Sequence, residues 1–193
     1  TPPNSPEITF LLIARMLRDK GIGEFVEAAK TIKLKYSNAR FQLLGPLGVQ
    51  NRTSIKKNEV ETWQNEGFVE YLGETDDVTK FIEKASCVVL PSYREGTSRV
   101  LLEAAAMGRP LVASNVPGCR EVVEDGVTGF LCKPRDYADL SHKIELMLKL
   151  PYEARQAVGA RGREKIEIEF RQEIVCDLYI DAIKSCQPGQ LSH

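Results

Sequence analysis

The sequence predicts an α/β fold, a doubly wound, Rossmann-like parallel sheet of six strands with helices on both faces. Two observations support this prediction. Short apolar runs alternate with longer segments of helical periodicity along the 193 residues, and this alternation is typical of parallel sheets with crossover helices. The first run, Ile8–Ala14, is almost continuously apolar, as expected of a strand that is buried on both faces.

The first half of the chain alternates three predicted strands with three predicted helices. Phe25, Ala28 and Ile32 have helical spacing and lie on one side of the first helix. Gly45 ends the second strand and Gly73 ends the third, because glycine interrupts a run of strand-forming residues. The predicted strands are 8–14, 39–44 and 68–72, and the predicted helices are 23–36, 54–66 and 76–84.

The second half continues the alternation. The β-forming run Cys87–Leu90 ends at Pro91, since proline cannot donate to a sheet ladder. Strong helix formers then run from Thr97 to Met107 until Gly108 and Pro110 stop them. The predicted strands are 86–90, 110–114 and 128–132, and the predicted helices are 97–107, 136–149, 152–168 and 171–185.

Composition limits what the chain does. With 26 basic and 27 acidic residues its net charge is −1, which does not indicate bulk attraction to nucleic acid. No apolar run approaches the ~20 residues needed to span a bilayer. The five cysteines are an odd number without C-x-x-C spacing, which favours reduced thiols in a cytoplasmic protein over a disulfide framework or a zinc site.

One domain with two short flanks is predicted. Residues 1–6 are rich in proline and polar side chains, so they are predicted to be a linker, without the pattern of a signal peptide. Residues 7–186 contain every predicted element and are long enough to bury a full core. Residues 187–193 form a predicted tail.

The start of the helix at 97–107 is a candidate anion site. The backbone amides of Gly96, Thr97 and Ser98 are expected to be free there, and a helix start carries roughly half a positive charge, which suits a phosphate. Glu95 precedes the helix and Glu103 lies two turns into it, eight residues later. The two acids are therefore expected to flank a ligand that is anchored at the helix start.

Several polar or turn-forming positions follow predicted strands. Arg15, Gly45, Gly73, Pro91 and Ser114 each stand at the carboxyl end of a different strand. Because ligands of such sheets bind outside the carboxyl ends of the strands, these positions converge on one predicted crevice.

Other chemistries fit this sequence poorly. Its two histidines, His142 and His193, lie on a predicted helix and at the terminus, which disfavours a histidine base or a metal cluster. Neither G-x-G-x-x-G nor the P-loop pattern occurs, which disfavours a dinucleotide oxidoreductase and an ATPase. Two carboxylates also suggest a glycosidase, but nothing in the sequence predicts the raised pKa that its acid requires.

The central stretch resembles a known family. Glu95 and Glu103 are similar to the E-x7-E signature of retaining glycosyltransferases with the GT-B fold, the group 1 family. This resemblance implies the C-terminal, donor-binding half of such an enzyme. Four further motifs continue it in order: Leu101–Ala104, Gly108–Pro110, Val116–Glu121 and Gly126–Leu131.

The resemblance implies a role for each candidate residue. Arg15 and Lys20 match the family's arginine–lysine pair, whose members contact the donor diphosphate. Glu95 would hold hydroxyls of the transferred sugar and Glu103 those of the ribose, because a carboxylate accepts several hydrogen bonds. No divalent metal is expected, since the two cations and the helix start replace it. Backbone groups near the third strand would hold the base, namely those of Val69, Tyr71 and Leu72.

A finer resemblance concerns the pathway. The segments 45–78, 94–97 and 116–121 are similar to enzymes that build lipid-carrier-linked bacterial surface glycans, often from UDP donors. The expected function is transfer of a hexosyl unit to a lipid-linked or saccharide acceptor in capsule, exopolysaccharide or O-antigen synthesis. The expected partners are the nucleotide sugar and a missing N-terminal acceptor domain. Through that domain the full-length cytoplasmic protein would lie at the inner face of the membrane.

Alone, this chain is expected to bind nucleotide weakly and to transfer no sugar. One alternative is a non-catalytic nucleotide-binding module with the same fold. A second alternative concerns the two cations: Lys20 would only solvate a helix start while Arg15 pairs with Glu95. Ser92 and Tyr93 lie in the same loop, where they either line the site or simply pack.

Overall fold

The computed structural model describes residues 1–170, which form six strands and six α-helices. Strands and helices alternate as far as β5, and β6, α5 and α6 follow it in that order. A short 3-10 turn, Arg18–Lys20, follows the first strand. None of the helices in this part of the chain is long and apolar enough to cross a membrane. The helix predicted at 171–185 and the tail at 187–193 lie outside the described residues.

The strands are β1 (Ile8–Ile13), β2 (Ala39–Leu44), β3 (Glu70–Tyr71), β4 (Cys87–Leu90), β5 (Leu111–Ser114) and β6 (Gly129–Cys132). The helices are α1 (Ile22–Lys33), α2 (Lys57–Asn65), α3 (Thr79–Lys84), α4 (Arg99–Ala106), α5 (Tyr137–Lys149) and α6 (Tyr152–Glu169).

All six strands form one parallel sheet in the order β3-β2-β1-β4-β5-β6. β1 pairs with β2 from Ile8 beside Ala39 to Ile13 beside Leu44, and it pairs with β4 on its other edge. The predicted α/β fold with a six-stranded parallel sheet is therefore confirmed. The order of the strands reverses between β1 and β4, which is the point where ligands of such sheets bind.

The sheet separates two apolar layers, and β1 contributes to both. Phe10 and Leu12 face one layer, whereas Leu11 and Ile13 face the other, because successive side chains of a strand point to opposite faces. Phe41 joins the first layer, where its ring stacks on that of Phe10 with centroids 5.3 Å apart. Burial on both faces explains why these strands are apolar along their whole length.

Several predicted elements have different bounds in the structure, and for two of them, the third strand and the second helix, the contacts that cause the difference are clear. The third strand has two residues instead of five, because Phe68 still belongs to the turn after α2, where its amide donates to the Trp63 carbonyl (3.2 Å). The prediction that the second helix begins at Ser54 is wrong, because α2 begins at Lys57. Ile55 is buried and its amide donates to the Met16 carbonyl (2.9 Å), so the chain stays extended until Lys56.

The Gly108–Pro110 motif has a structural explanation. Arg109 is 4% exposed, and its guanidinium donates to the carbonyls of Ile82 (2.7 Å) and Glu83 (2.8 Å). These carbonyls belong to the last turn of α3, where backbone acceptors lack intrahelical partners. Arg109 therefore caps α3 and fixes it beside the start of β5.

Candidate functional site

A crevice opens over the carboxyl ends of β1 and β4, where the order of the sheet reverses. Its cavity has a volume of about 220 Å³. That is smaller than the roughly 300–1,000 Å³ of most small-molecule sites. Five of the residues predicted for the site line this cavity together: Arg15, Lys20, Glu95, Thr97 and Ser98.

Glu95 is the most constrained side chain of the crevice. Its Oε1 atom accepts hydrogen bonds from Lys20 Nζ (2.6 Å) and from Ser92 Oγ (2.7 Å). The Glu95 and Lys20 side chains are only 13% and 19% exposed, so solvent screens their attraction weakly. Among residues 1–170, Oε2 of Glu95 has no hydrogen-bond partner, which leaves that atom able to accept from a ligand.

The pairing of Glu95 distinguishes the two predicted cations. Lys20, and not Arg15, forms the ion pair with Glu95. Arg15 lines the cavity without an ion pair to any other side chain of residues 1–170. The crevice therefore holds one cation that is neutralised by Glu95 and a second that is free to meet an anion.

Gly21 explains why Lys20 reaches Glu95. Gly21 has φ +71°, and a Cβ there would lie 2.1 Å from the Pro91 carbonyl oxygen. Only glycine permits this close approach of the 3-10 turn to the end of β4. Lys20 immediately precedes Gly21, so its ammonium comes within reach of the loop that carries Glu95.

The start of α4 lies two residues later than predicted. Ser98 is the N-cap, and its Oγ accepts from the Leu101 amide (3.4 Å), as serine commonly does at this position. Its own amide donates to the Gly118 carbonyl (3.5 Å) and is therefore not free. The first-turn amides of Arg99 and Val100 lack intrahelical partners, and both residues line the cavity.

The helix start remains accessible to solvent. Gly96, Thr97 and Arg99 are exposed, so an anion could reach the first turn of α4. The macrodipole of α4 and its unpaired N–H groups make this end of the helix favourable for negative charge.

The Val116–Glu121 motif supports the loop that carries Glu95. Gly118 has φ +82°, and a Cβ there would lie 1.8 Å from the Gly96 carbonyl oxygen. Its amide donates to the Glu121 carboxylate. Cys119 is buried behind this contact, and burial raises the pKa of its thiol to about 12, so the thiol stays neutral and is not a nucleophile.

Glu103 lies apart from the other predicted residues. It is on α4, its side chain is 35% exposed, and its Oε1 accepts from Arg99 Nε (2.8 Å). It does not line the cavity that holds Glu95. A ligand that used Glu103 would therefore extend along α4, past Arg99 and out of the cavity.

The three residues predicted near the base are also separate from the cavity. Val69 is buried and lines a different space, of about 280 Å³, at the amino-terminal ends of β2 and β3. The Tyr71 amide donates to Gln64 Oε1 (2.9 Å), and the Leu72 amide donates to the Leu43 carbonyl (2.8 Å). Neither amide is free for a base.

One space near the third strand was not predicted from the sequence. A space of about 280 Å³ lies beside the carboxyl ends of β2 and β3, lined by Pro46, Glu74, Thr75 and Asp76. Its lining residues lie in loops, so they show no periodic apolar pattern from which this space could be predicted. Ser92 was also missed as a partner of Glu95, since its role requires the side chain to fold back three residues along the loop.

Substituting Gly118 tests the support of the Glu95 loop. We expect Gly118→Ala to lower the free energy of unfolding by about 2 kcal/mol more than Gly126→Ala, because its new methyl group meets backbone. Gly126 is the matched control, since it has φ +78° and open space around its Cα. Each alanine also carries about 1–2 kcal/mol of left-handed strain. Urea unfolding measures both values, and equal losses would contradict the packing role of Gly118.

Substituting Lys20 tests the ion pair. We expect Lys20→Met to cost about 2–4 kcal/mol of unfolding free energy, because it leaves the Glu95 charge largely buried without a counterion. The control is Lys57→Met, whose ion pair with Glu61 is exposed (82% and 56%) and should cost about 0.5 kcal/mol or less. Adding Glu95→Gln to Lys20→Met should recover part of the loss. A Lys20→Met cost no larger than the control would contradict the account.

The chain is similar in sequence to known proteins. The family model of the glycosyl transferases group 1 matches residues 1–165. The chain is 34% identical over 170 residues to N,N'-diacetylbacillosaminyl-diphospho-undecaprenol alpha-1,3-N-acetylgalactosaminyltransferase of Campylobacter jejuni, covering 88% of this chain and 43% of that protein. It is 29% identical over 163 residues to the capsular polysaccharide biosynthesis glycosyltransferase CapM of Staphylococcus aureus, covering 84% and 42%.

Solved structures share the fold. HepE of Anabaena, crystallised with UDP, superposes with a TM-score of 0.81 at 20% sequence identity, covering 93% of this chain and 49% of that one. This chain thus spans less than half the length of the relatives named here. On the match across residues 1–165, the chain belongs to the glycosyl transferases group 1 family.

Proposed function

We propose that this chain is the donor-binding half of a retaining glycosyltransferase. The full enzyme would move a hexosyl unit from a UDP-linked sugar to a lipid-linked or saccharide acceptor during capsule, exopolysaccharide or O-antigen synthesis. The observation that carries the proposal is the cluster of Arg15, Lys20 and Glu95 beside the exposed start of α4.

The proposed reaction needs stabilisation of negative charge. As the bond between the sugar and the diphosphate breaks, charge develops on the β-phosphate and the anomeric carbon becomes oxocarbenium-like. Arg15, Lys20 and the first-turn amides of α4 are donors near one place. Fixed donors of this kind are worth roughly 3–4 kcal/mol each when removed. Positive charge held in this way would serve the leaving group without a divalent metal, which we propose as part of the mechanism.

The two acids have separate proposed roles. Oε2 of Glu95 would accept from hydroxyls of the transferred sugar while Lys20 and Ser92 hold Oε1. Glu103 would accept from the ribose hydroxyls further along α4, exchanging its contact with Arg99 for contacts with the nucleotide. An exposed i,i+4 ion pair is weak enough to make that exchange inexpensive.

Relatives support the pathway and the nucleotide. The Campylobacter jejuni protein is named for transfer to an undecaprenol-linked sugar, and the Staphylococcus aureus protein for capsular polysaccharide synthesis. HepE was crystallised with UDP. These names support a surface-glycan pathway and a UDP donor for this chain.

The size of the chain supports a two-part enzyme. It spans 42% and 43% of the two named relatives, and its cavity is small for a whole nucleotide sugar. We propose that a further, N-terminal half covers the crevice, holds the acceptor and contacts the inner face of the cytoplasmic membrane. This chain alone would bind the nucleotide without transferring sugar.

Nucleotide binding tests the proposal directly. We expect calorimetric titration with UDP, GDP and ADP to show the tightest binding for UDP, with no change when EDTA is added. Arg15→Gln should weaken UDP binding by about tenfold, the value of one hydrogen bond to a charged group. Arg40→Gln is the control, because Arg40 lines the space at the opposite edge of the sheet.

Three results would count against this function. Absence of nucleotide binding, or equal effects of the two arginine substitutions, would remove the proposed site. In the full-length protein, unchanged turnover after Glu95→Gln would instead favour the alternative of a non-catalytic nucleotide-binding module.

A further inference from the structure

The loop at residues 91–98 carries Glu95 but has no regular secondary structure. The position of the Glu95 carboxylate therefore depends on what holds this loop. Gly118 packs against its far end at Gly96, and Lys20 and Ser92 bind the carboxylate itself. At the near end of the loop, Gly21 packs against the Pro91 carbonyl. Tyr93, two residues later, makes the hydrogen bonds that hold this end.

Tyr93 contacts three separate parts of the chain. Its amide donates to the Asp19 carbonyl (2.8 Å), in the turn that also carries Lys20. Its hydroxyl donates to Glu24 Oε1 (2.6 Å), in the first turn of α1. The guanidinium of Arg135, between β6 and α5, lies 4.6 Å from the centre of its ring. We refer to Asp19, Glu24, Tyr93 and Arg135 as the Tyr93 clamp.

The clamp includes a charge-assisted hydrogen bond and a residue with a constrained backbone conformation. A 2.6 Å bond from a hydroxyl to a carboxylate has the length of a charge-assisted hydrogen bond. Burial, and then the bond to Glu24, raises the pKa of Tyr93 to about 12, so the hydroxyl remains a donor at physiological pH. Arg135 has φ +60°, a left-handed conformation that a non-glycine residue adopts only where its surroundings impose it.

We propose that Tyr93 is a positioning residue for the donor sugar, which it serves by holding loop 91–98 and the Glu95 carboxylate in place. This inference rests on the proposed function, since the sugar is the ligand of Glu95. Tyr93 touches neither the sugar nor the diphosphate in this account. Its contribution is to keep Glu95 Oε1 within reach of Lys20, so that Oε2 keeps a defined position.

The chain offers a matched control for Tyr93. The hydroxyl of Tyr36 donates to Glu145 Oε1 (2.8 Å), which is also a tyrosine–glutamate bond between two elements. Tyr36 follows α1 at its carboxyl end, at the edge of the sheet away from the crevice. Tyr36→Phe therefore removes a bond of the same type without touching the loop.

Hydrogen exchange tests the clamp without any ligand. We expect Tyr93→Phe to speed amide exchange across residues 92–98 by about tenfold, as expected for losing one hydrogen bond to a charged group, while Tyr36→Phe leaves these amides unchanged. Arg135→Gln should act in the same direction, and Glu24→Gln, which keeps an acceptor, should have a smaller effect. Equal exchange in the Tyr93 and Tyr36 variants would overturn the clamp.

Ligand titration tests the positioning role. The probes are UDP and four UDP-sugars: UDP-glucose, UDP-galactose and their two N-acetylamino forms. Tyr93→Phe should reduce the preference for the best UDP-sugar over UDP while affinity for UDP itself changes little. An unchanged preference, despite faster exchange, would overturn the positioning role and leave only a structural one. Failure of the unsubstituted chain to bind any probe would overturn the proposed function, whereas the exchange result would still decide the clamp.

Discussion

The attraction between Lys20 and Glu95 is the interaction on which the candidate site depends. The two side chains come from loops after different strands, and they meet at 2.6 Å with little exposure to solvent. Leaving either charge alone there would be costly, so the loops after β1 and β4 are held together by it. The same bond consumes one carboxylate oxygen of Glu95 and leaves the other for a ligand, so a structural contact also prepares the site.

Close backbone approaches make that interaction possible. Gly21 lets the turn with Lys20 reach the end of β4, and Gly118 lets the neighbouring loop lie against Gly96. Both approaches occur beyond the carboxyl ends of parallel strands, that of Gly21 between β1 and β4, where the sheet reverses its order, and that of Gly118 between β4 and β5. The start of α4 points its unpaired amides into the same space. The strand order thus determines where the site lies, and Gly21 and Gly118 permit the close contacts around it. Arg15, Lys20 and Glu95 supply the charged groups.

Much of this arrangement could be predicted from the sequence, because its causes are local. Apolar runs and glycine or proline stops are sufficient to place β1, β2 and β4 and to bring Arg15 to the crevice. Glu95 was predicted there from the start of the following helix, and Lys20 from the resemblance to the family. What escaped prediction depends on contacts between distant segments. The Ile55 amide donates to the Met16 carbonyl, so α2 begins later than predicted. The Tyr93 hydroxyl donates to Glu24, which is sixty-nine residues away in the sequence. The Tyr71 and Leu72 amides, which belong to the backbone predicted near a base, are bonded to Gln64 and to Leu43, contacts between segments that the sequence pattern does not reveal.

An NMR titration of the ¹⁵N-labelled chain with UDP tests the candidate site most directly. We expect the largest amide shifts at residues 96–101, Arg15 and Lys20, around the start of α4. Largest shifts at Lys33, Arg40 and Glu70, which line the cavity at the opposite edge of the sheet, would contradict it. So would the absence of any shift at saturating nucleotide.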